Sequence, residues 1–200
     1  MKTTLATVGL LAATLSGCAF AQGSGDPNAV RAGSYKIDPD HTQVNWAVSH
    51  LGYSIYEGRF DTVSGTLSLD PKNAANDRLD ITIQTASIDT PSAKLNGQLV
   101  GESWFDAKRF PTIVFRSTGV VATGKDTASV TGDLTLHGVT RPVTLETTFV
   151  GAGLNLVFGA YFAGFQASGT IKRSDFGVSA FTPLIGDETR LTLNGAFIKQ

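Results

Sequence analysis

The histidines His41, His50 and His137, the aspartates Asp38, Asp40, Asp61, Asp106 and Asp175, and the arginines Arg59, Arg109, Arg116 and Arg173 are the side chains here best suited to chemistry. Three imidazoles brought together could hold a zinc ion. These three are far apart in sequence, after a turn, at a strand end and within a hairpin, and local turn or surface roles explain them more simply. Two of the aspartates could form an acid–base pair. Aspartates at turns, however, more often close Asx-turns and cap short helices. The arginines could face a phosphate or another polar head group. Solvated side chains and surface ion pairs are the simpler expectation for them. The sequence carries no G-x-S-x-G elbow, no H-E-x-x-H pair and no phosphate-cradling glycine loop. No metal or cofactor is called for.

The elements that must position these groups read as strands. Of the residues 42% are hydrophobic and 16% charged, with 22 glycines, a balance that favours strands and turns over helices. The formal net charge of -1 offers no basic face for nucleic acid. Thr42, Val44, Trp46 and Val48 alternate with Gln43, Asn45, Ala47 and Ser49, a period of two. The same alternation gives the faces Val63, Gly65, Leu67, Leu69; Leu79, Ile81, Ile83; and Val130, Gly132, Leu134, Leu136. It recurs in Val143, Leu145, Thr147, Phe149 and in Leu191, Leu193, Gly195, Phe197. Turn chemistry bounds these runs, as at Asp70-Pro71-Lys72-Asn73 and Gly124-Lys125-Asp126. His137-Gly138 suits a two-residue hairpin, because glycine accepts a positive φ at the second position. The pattern predicts about eight antiparallel strands in a meander.

Segment 91–105 breaks the alternation. Leu95 and Leu99 stand at i, i+4, with Thr90 placed to cap and Pro91 at the first helical position. Gly97 costs such a helix about 1 kcal/mol relative to alanine. A short helix or turn segment across one end of the sheet is expected. Strands with one apolar face must close into a barrel or a sandwich to cover edges and apolar surface. Periodicity leaves open which of these forms. It also leaves open whether the aromatic set (Trp46, Phe60, Trp104, Phe105, Phe110, Phe115, Phe149, Phe165 and Phe176) fills the interior or lines a channel.

The first 21 residues read as a secretory signal: Lys2 leads an apolar run over 5–15 that is too short to span a bilayer. Two processing signals overlap there. Ala19-Phe20-Ala21 fits cleavage to a soluble exported protein. Leu15-Ser16-Gly17-Cys18 resembles a bacterial lipobox, in which Cys18 is lipidated and anchors the chain to a membrane. Cys18 is the sole cysteine, so no intramolecular disulfide forms. Residues 22–33 are polar and rich in breakers, and are expected to form a flexible linker before a domain over 34–200.

A family resemblance runs through that domain. It is carried by Tyr35-Lys36-Ile37-Asp38-Pro39-Asp40-His41 with Val44-Asn45-Trp46, by Gly58-Arg59-Phe60-Asp61 with Ser64-Gly65-Thr66-Leu67, and by Ala86-Ser87-Ile88-Asp89-Thr90. Trp104-Phe105-Asp106, Phe110-Pro111-Thr112-Ile113-Val114-Phe115, Gly132 to Thr140 and Lys172-Arg173-Ser174-Asp175-Phe176-Gly177 complete it in order. Together these resemble the YceI-like, polyisoprenoid-binding family over nearly all of 34–199. The resemblance implies an all-β, lipocalin-like antiparallel barrel whose apolar pore accepts a polyisoprenoid or isoprenoid quinone in the bacterial periplasm, without catalysis. On that reading the pore is lined by Trp46, Val48, Phe60, Ile81, Ile83, Leu95, Leu99, Phe105 and Phe115. Members carry a charged Arg-Asp-x-His-Leu-like stretch where this chain has Lys94-Leu95-Asn96-Gly97-Gln98-Leu99, so a head-group contact from there is in doubt. Two rivals remain: a filled barrel acting through its surface in structure or stress response, and a small hydrolase or isomerase using Asp106 or Asp175. A homodimer is compatible with any of these.

Overall fold

A computed structural model describes residues 23–200. The strands form one continuous sheet that closes on itself. β1 (Gly33–Ile37) and β2 (Gln43–His50) form the two halves of one stave, broken by a 3-10 turn at Pro39–His41. Proline has no N–H to give to the ladder, so pairing stops there. Asp38 closes the break: its Oδ1 accepts from the Asp40 amide at 3.1 Å and its Oδ2 lies 2.8 Å from His41 Nδ1. β3 (Ser54–Phe60) and β4 (Val63–Leu69) make the second stave, and β5 (Arg78–Gln84) and β6 (Ile88–Asp89) the third.

Five unbroken staves follow: β7 (Thr112–Ala122), β8 (Thr127–Leu136), β9 (Val139–Asn155), β10 (Ala160–Lys172) and β11 (Ile185–Lys199). Each stave pairs antiparallel with its neighbour in sequence. β11 returns to both halves of the first, with Phe197 opposite Ile37 and Leu191 opposite Trp46. The eleven strands are therefore the eight staves expected, three of them interrupted. Closure leaves no long unpaired edge, which is why a barrel satisfies this sequence.

Local chemistry behaves as the residues suggest at the β8–β9 hairpin. Leu136 pairs with Val139, and His137 and Gly138 take φ of 51° and 76°. A Cβ on Gly138 would lie 2.5 Å from the Phe110 ring, so glycine is required there twice over. The helix differs from expectation at its start. α1 (Ala93–Leu99) is capped by Ser92, whose Oγ accepts from the Leu95 amide at 3.3 Å. Thr90 is not the cap. The Thr90 hydroxyl is engaged elsewhere, and the helix begins two residues later. The Thr90 hydroxyl instead donates to Asn96 Oδ1 at 2.7 Å, and Asn96 Nδ2 donates to Asp89 Oδ1 at 2.9 Å, tying α1 to β6.

Several of residues 23–33 make contacts with the barrel. Ser24 and Ala152 exchange both backbone hydrogen bonds, at 2.7 and 2.9 Å. Asp26 caps a 3-10 turn at Pro27–Ala29, Val30 is buried in the core, and the Arg31 guanidinium lies 4.5 Å over the Tyr161 ring. The average polarity of this stretch hides one apolar side chain, Val30, that the barrel buries. The signal segment over 1–21, its two processing signals and Cys18 lie outside the described residues.

Aromatic rings crowd the interior toward the end that carries the chain termini. Phe149, Phe165 and Phe197 pack edge to face, with centroids 5.5 and 6.0 Å apart, above a fully buried Tyr35. The opposite end carries the β2–β3 turn, α1 and the long β10–β11 connection.

Candidate functional site

Above that aromatic floor the barrel is hollow. A cavity of about 530 Å³ runs up to the end that carries α1, a size typical of small-molecule sites. Alternate residues of every stave point inward, so each strand contributes its apolar face. β2 supplies Val44, Trp46 and Val48, β5 supplies Leu79, Ile81 and Ile83, and β11 supplies Leu191 and Leu193. α1 lies across the upper end and presents Leu95 and Leu99, while Phe60 and Phe105 meet edge to face at 5.9 Å. All nine residues picked from the sequence, Trp46, Val48, Phe60, Ile81, Ile83, Leu95, Leu99, Phe105 and Phe115, line this one cavity. Of the wider aromatic set, Phe149 is in the floor, Phe110 stacks on His137 at 4.5 Å, and Phe176 is buried away from the cavity.

The polar residues of α1 contribute nothing to the lining. Lys94 and Gln98 are exposed, and Asn96 is committed to Asp89 and Thr90. Where a charged head-group contact was in doubt, the helix offers two leucines.

The mouth is built from apolar loops. Leu51, Phe181 and Leu184 line the cavity and are also well exposed. The Leu51 amide donates to the Leu184 carbonyl at 2.8 Å, joining the β2–β3 turn to the β10–β11 connection. Trp104 packs against Phe181 at 6.1 Å.

Arg173 was grouped with three arginines expected on the surface; the structure separates it from them. Arg59 pairs with Asp61 and Asp89 at 2.6 and 3.1 Å, Arg116 pairs with Asp80 at 3.0 Å, and Arg109 lies over Phe110, as solvated side chains do. Arg173 is 6% exposed and lines the cavity. Its Nε donates to the Gly186 carbonyl, Nη1 to Val178, and Nη2 to Ala180, Ile185 and the Thr182 hydroxyl, all at 2.8–2.9 Å. Its guanidinium also lies 5.5 Å from the centre of the Trp104 ring. Among the described residues no carboxylate comes within ion-pair distance of it. Burial lowers its pKa, and the nearby Asp187 partly offsets that. The sequence signal was slight: an arginine in register with the inward Ile171, two residues before it, on β10.

The remaining candidates stay apart. His41 sits against Asp38, His50 lies at the mouth beside Tyr53 and Tyr56, and His137 occupies its hairpin. Asp61 is held by Arg59, Asp106 is in a turn at φ 43°, and Asp175 lies in a 3-10 turn. Among the described residues no three His, Cys, Asp or Glu side chains converge as a metal site would need. One further carboxylate reaches the cavity. Asp77, near the end with the chain termini, accepts from the Asp70 amide at 2.7 Å, and burial pushes its pKa up to about 6.

An eight-stave antiparallel barrel around an apolar chamber places the chain in the class of closed, lipocalin-like barrels. Within that class the chain belongs to the YceI-like family, whose domain model matches residues 35–197. It is 37% identical over 193 residues to a UPF0312 protein of Pseudomonas paraeruginosa, covering 96% of this chain and all of that one. Burkholderia cenocepacia BcnA is similar in structure, with a TM-score of 0.73 and 29% identity over 80% of this chain and 98% of its own. A polyisoprenoid binding domain from Saccharophagus degradans shares the fold at a TM-score of 0.64 and 16% identity, covering 85% of this chain and all of that domain.

Proposed function

We propose that this protein binds a long-chain polyisoprenoid or isoprenoid quinone and holds it as a carrier or reservoir, without catalysis. The observation that carries this reading is the chamber of about 530 Å³, lined almost wholly by hydrocarbon side chains and opening through an apolar rim. The filled-barrel alternative required an interior without such a space. A polyisoprenoid binding domain built on the same fold lends further support.

Energetics explain why such a site suits exchange. Moving apolar chain out of water is worth about 0.8 kcal/mol per methylene. The real competitor is a bilayer, which is equally apolar, so transfer from membrane to barrel is nearly neutral in hydrophobic terms. Shape and hydrogen bonding must supply the preference, and the cargo can be handed back. Residues 1–21 support export to the periplasm, released after Ala21 or anchored through Cys18. A Cys18→Ala variant leaving the membrane fraction would support anchoring.

Native mass spectrometry of the purified mature protein, followed by organic extraction, tests the binding reading. A stoichiometric isoprenoid supports it and names the cargo. A clean apo mass, together with no uptake of added quinones and prenyl lipids, refutes it.

A further inference from the structure

The β9–β10 hairpin overhangs the barrel at the end that carries the chain termini. β9 pairs with β8 only as far as Thr148, yet it continues to Asn155 with β10 as its partner. At the tip Leu154, Leu156, Val157 and Phe158 are 46–86% exposed, and none of them lines the chamber. Residues 147–171 hold no charged side chain. The turn itself needs only its Asn and Gly. Asn155 Oδ1 accepts from the Val157 and Phe158 amides at 2.9 and 3.3 Å, and Gly159 takes φ 63°. Nothing in that geometry calls for Leu-Val-Phe between them. The Phe158 ring lies 6.2 Å from Phe162 and 6.3 Å from His41, so the tip has a defined shape.

We propose that the hairpin tip 154–158 inserts into the surface of a phospholipid bilayer and stands the barrel on that end. The proposal is independent of the cargo. The mouth beside α1 then faces away from the docked bilayer.

Three observations favour a bilayer as the occupant. The N-terminal segment arrives along this hairpin: Ser24 exchanges both backbone hydrogen bonds with Ala152, and a Cβ on Gly153 would lie 3.0 Å from Gly23 Cα. Cys18 is five residues before Gly23, so a lipid carried there attaches within roughly 18 Å of the hairpin. The mouth end of β9 is about 40 Å away along the strand, beyond that reach. Area is the second. The four side chains expose on the order of 500 Å², enough for a functional patch but short of the roughly 800 Å² per partner of a stable protein interface. The third is what stands behind the tip. Tyr161 is opposite Leu154, and the Arg31 guanidinium lies 4.5 Å over its ring, an amphipathic pair suited to a membrane–water boundary.

Co-sedimentation with vesicles of phosphatidylethanolamine and phosphatidylglycerol tests this on the chain beginning at Gln22, which carries no lipid. Wild-type protein should bind, and binding should persist in about 1 M salt because the tip is uncharged. The double variant Leu156→Asp, Val157→Asp should lose at least about tenfold in partitioning. Its Tm should stay within about 2 °C of wild type, since both side chains are exposed. Leu184→Asp, at the mouth, should bind as wild type does. Two tryptophan reporters locate the contact: Val157→Trp should be quenched by lipids with brominated acyl chains, and Leu184→Trp should not. Wild-type protein that stays in the supernatant, or a double variant that sediments equally well, overturns the proposal. So does quenching of Leu184→Trp in place of Val157→Trp, which would put the mouth on the membrane. A wild-type dimer that the double variant converts to monomer would overturn it in favour of a second copy of the chain.

Discussion

Replacing Arg173 with leucine should loosen the mouth of the barrel before it damages the wall. The guanidinium holds four backbone carbonyls and one hydroxyl in the segment from Val178 to Gly186. Hydrogen bonds to a charged group contribute about 1.5–3 kcal/mol each, and five added together would approach the whole stability of a domain. Simple addition overstates the loss. Phe181 and Leu184 in this segment are already 66% and 61% exposed, so its carbonyls can turn to water once the arginine is gone. The loss is then capped by the cost of releasing the segment, about 3–5 kcal/mol, as when one member of a buried charged network is removed. At about 2–4 °C per kcal/mol for a domain of this size, Tm should fall by roughly 6–20 °C. Arg173→Lys should lie between, since an ammonium has three donors for five acceptors. Hydrogen exchange should localise the effect to 178–186, with β7 and β8 unaffected until global unfolding. A leucine variant that melts within about 1 °C of wild type, with exchange in that segment unchanged, would refute this account of the mouth.

Three further perturbations probe the chamber. Ile83→Asp places an unpaired carboxylate on the cavity wall, so protein that still shows native circular dichroism should co-purify with almost no lipid; undiminished lipid content would remove Ile83 from the site. Gly58→Ala puts a Cβ 2.3 Å from Trp46 Cζ2, forcing the indole to move, and should destabilise the barrel by about 1–3 kcal/mol in chemical denaturation. Asp77 tests linkage. Burial raises its folded pKa from 3.8 to about 6, so the folded state binds the proton more tightly than the unfolded chain. The stability from this group is present in full below about pH 4 and is lost as pH rises through about 6. Asp77→Asn keeps an acceptor for the Asp70 amide and should flatten that part of the stability curve, raising stability at pH 7 by on the order of 1 kcal/mol for this half-buried group. A slope identical to wild type between pH 4 and 7 would show that Asp77 does not titrate as described.

Much of the chamber was legible before any coordinates. Val44, Trp46 and Val48 on one strand and Ile81 and Ile83 on another point the same way because side chains alternate along a strand, whatever the strand pairs with. Leu95 and Leu99 were separable by their helical spacing, and His137-Gly138 by its need for positive φ. Three features were not legible. The cap moved from Thr90 to Ser92 because the Thr90 hydroxyl is taken by Asn96, which is itself tied to Asp89 on β6. Val30 is buried against a surface remote in sequence. Arg173 left the company of the surface arginines because acceptors on the 178–186 connection fold back over it.

The sequence by itself determined the inward faces of six strands, several turns and the family, since each depends on chemistry within a few residues or on short motifs in order. Only the tertiary structure decided that the aromatic residues leave a chamber between them. Volume is the difference between the space the closed barrel encloses and the side chains that enter it, and no local pattern contains that difference. The same holds for the partners of buried polar groups. Arg173 is satisfied because of which backbone atoms the fold brings beside it.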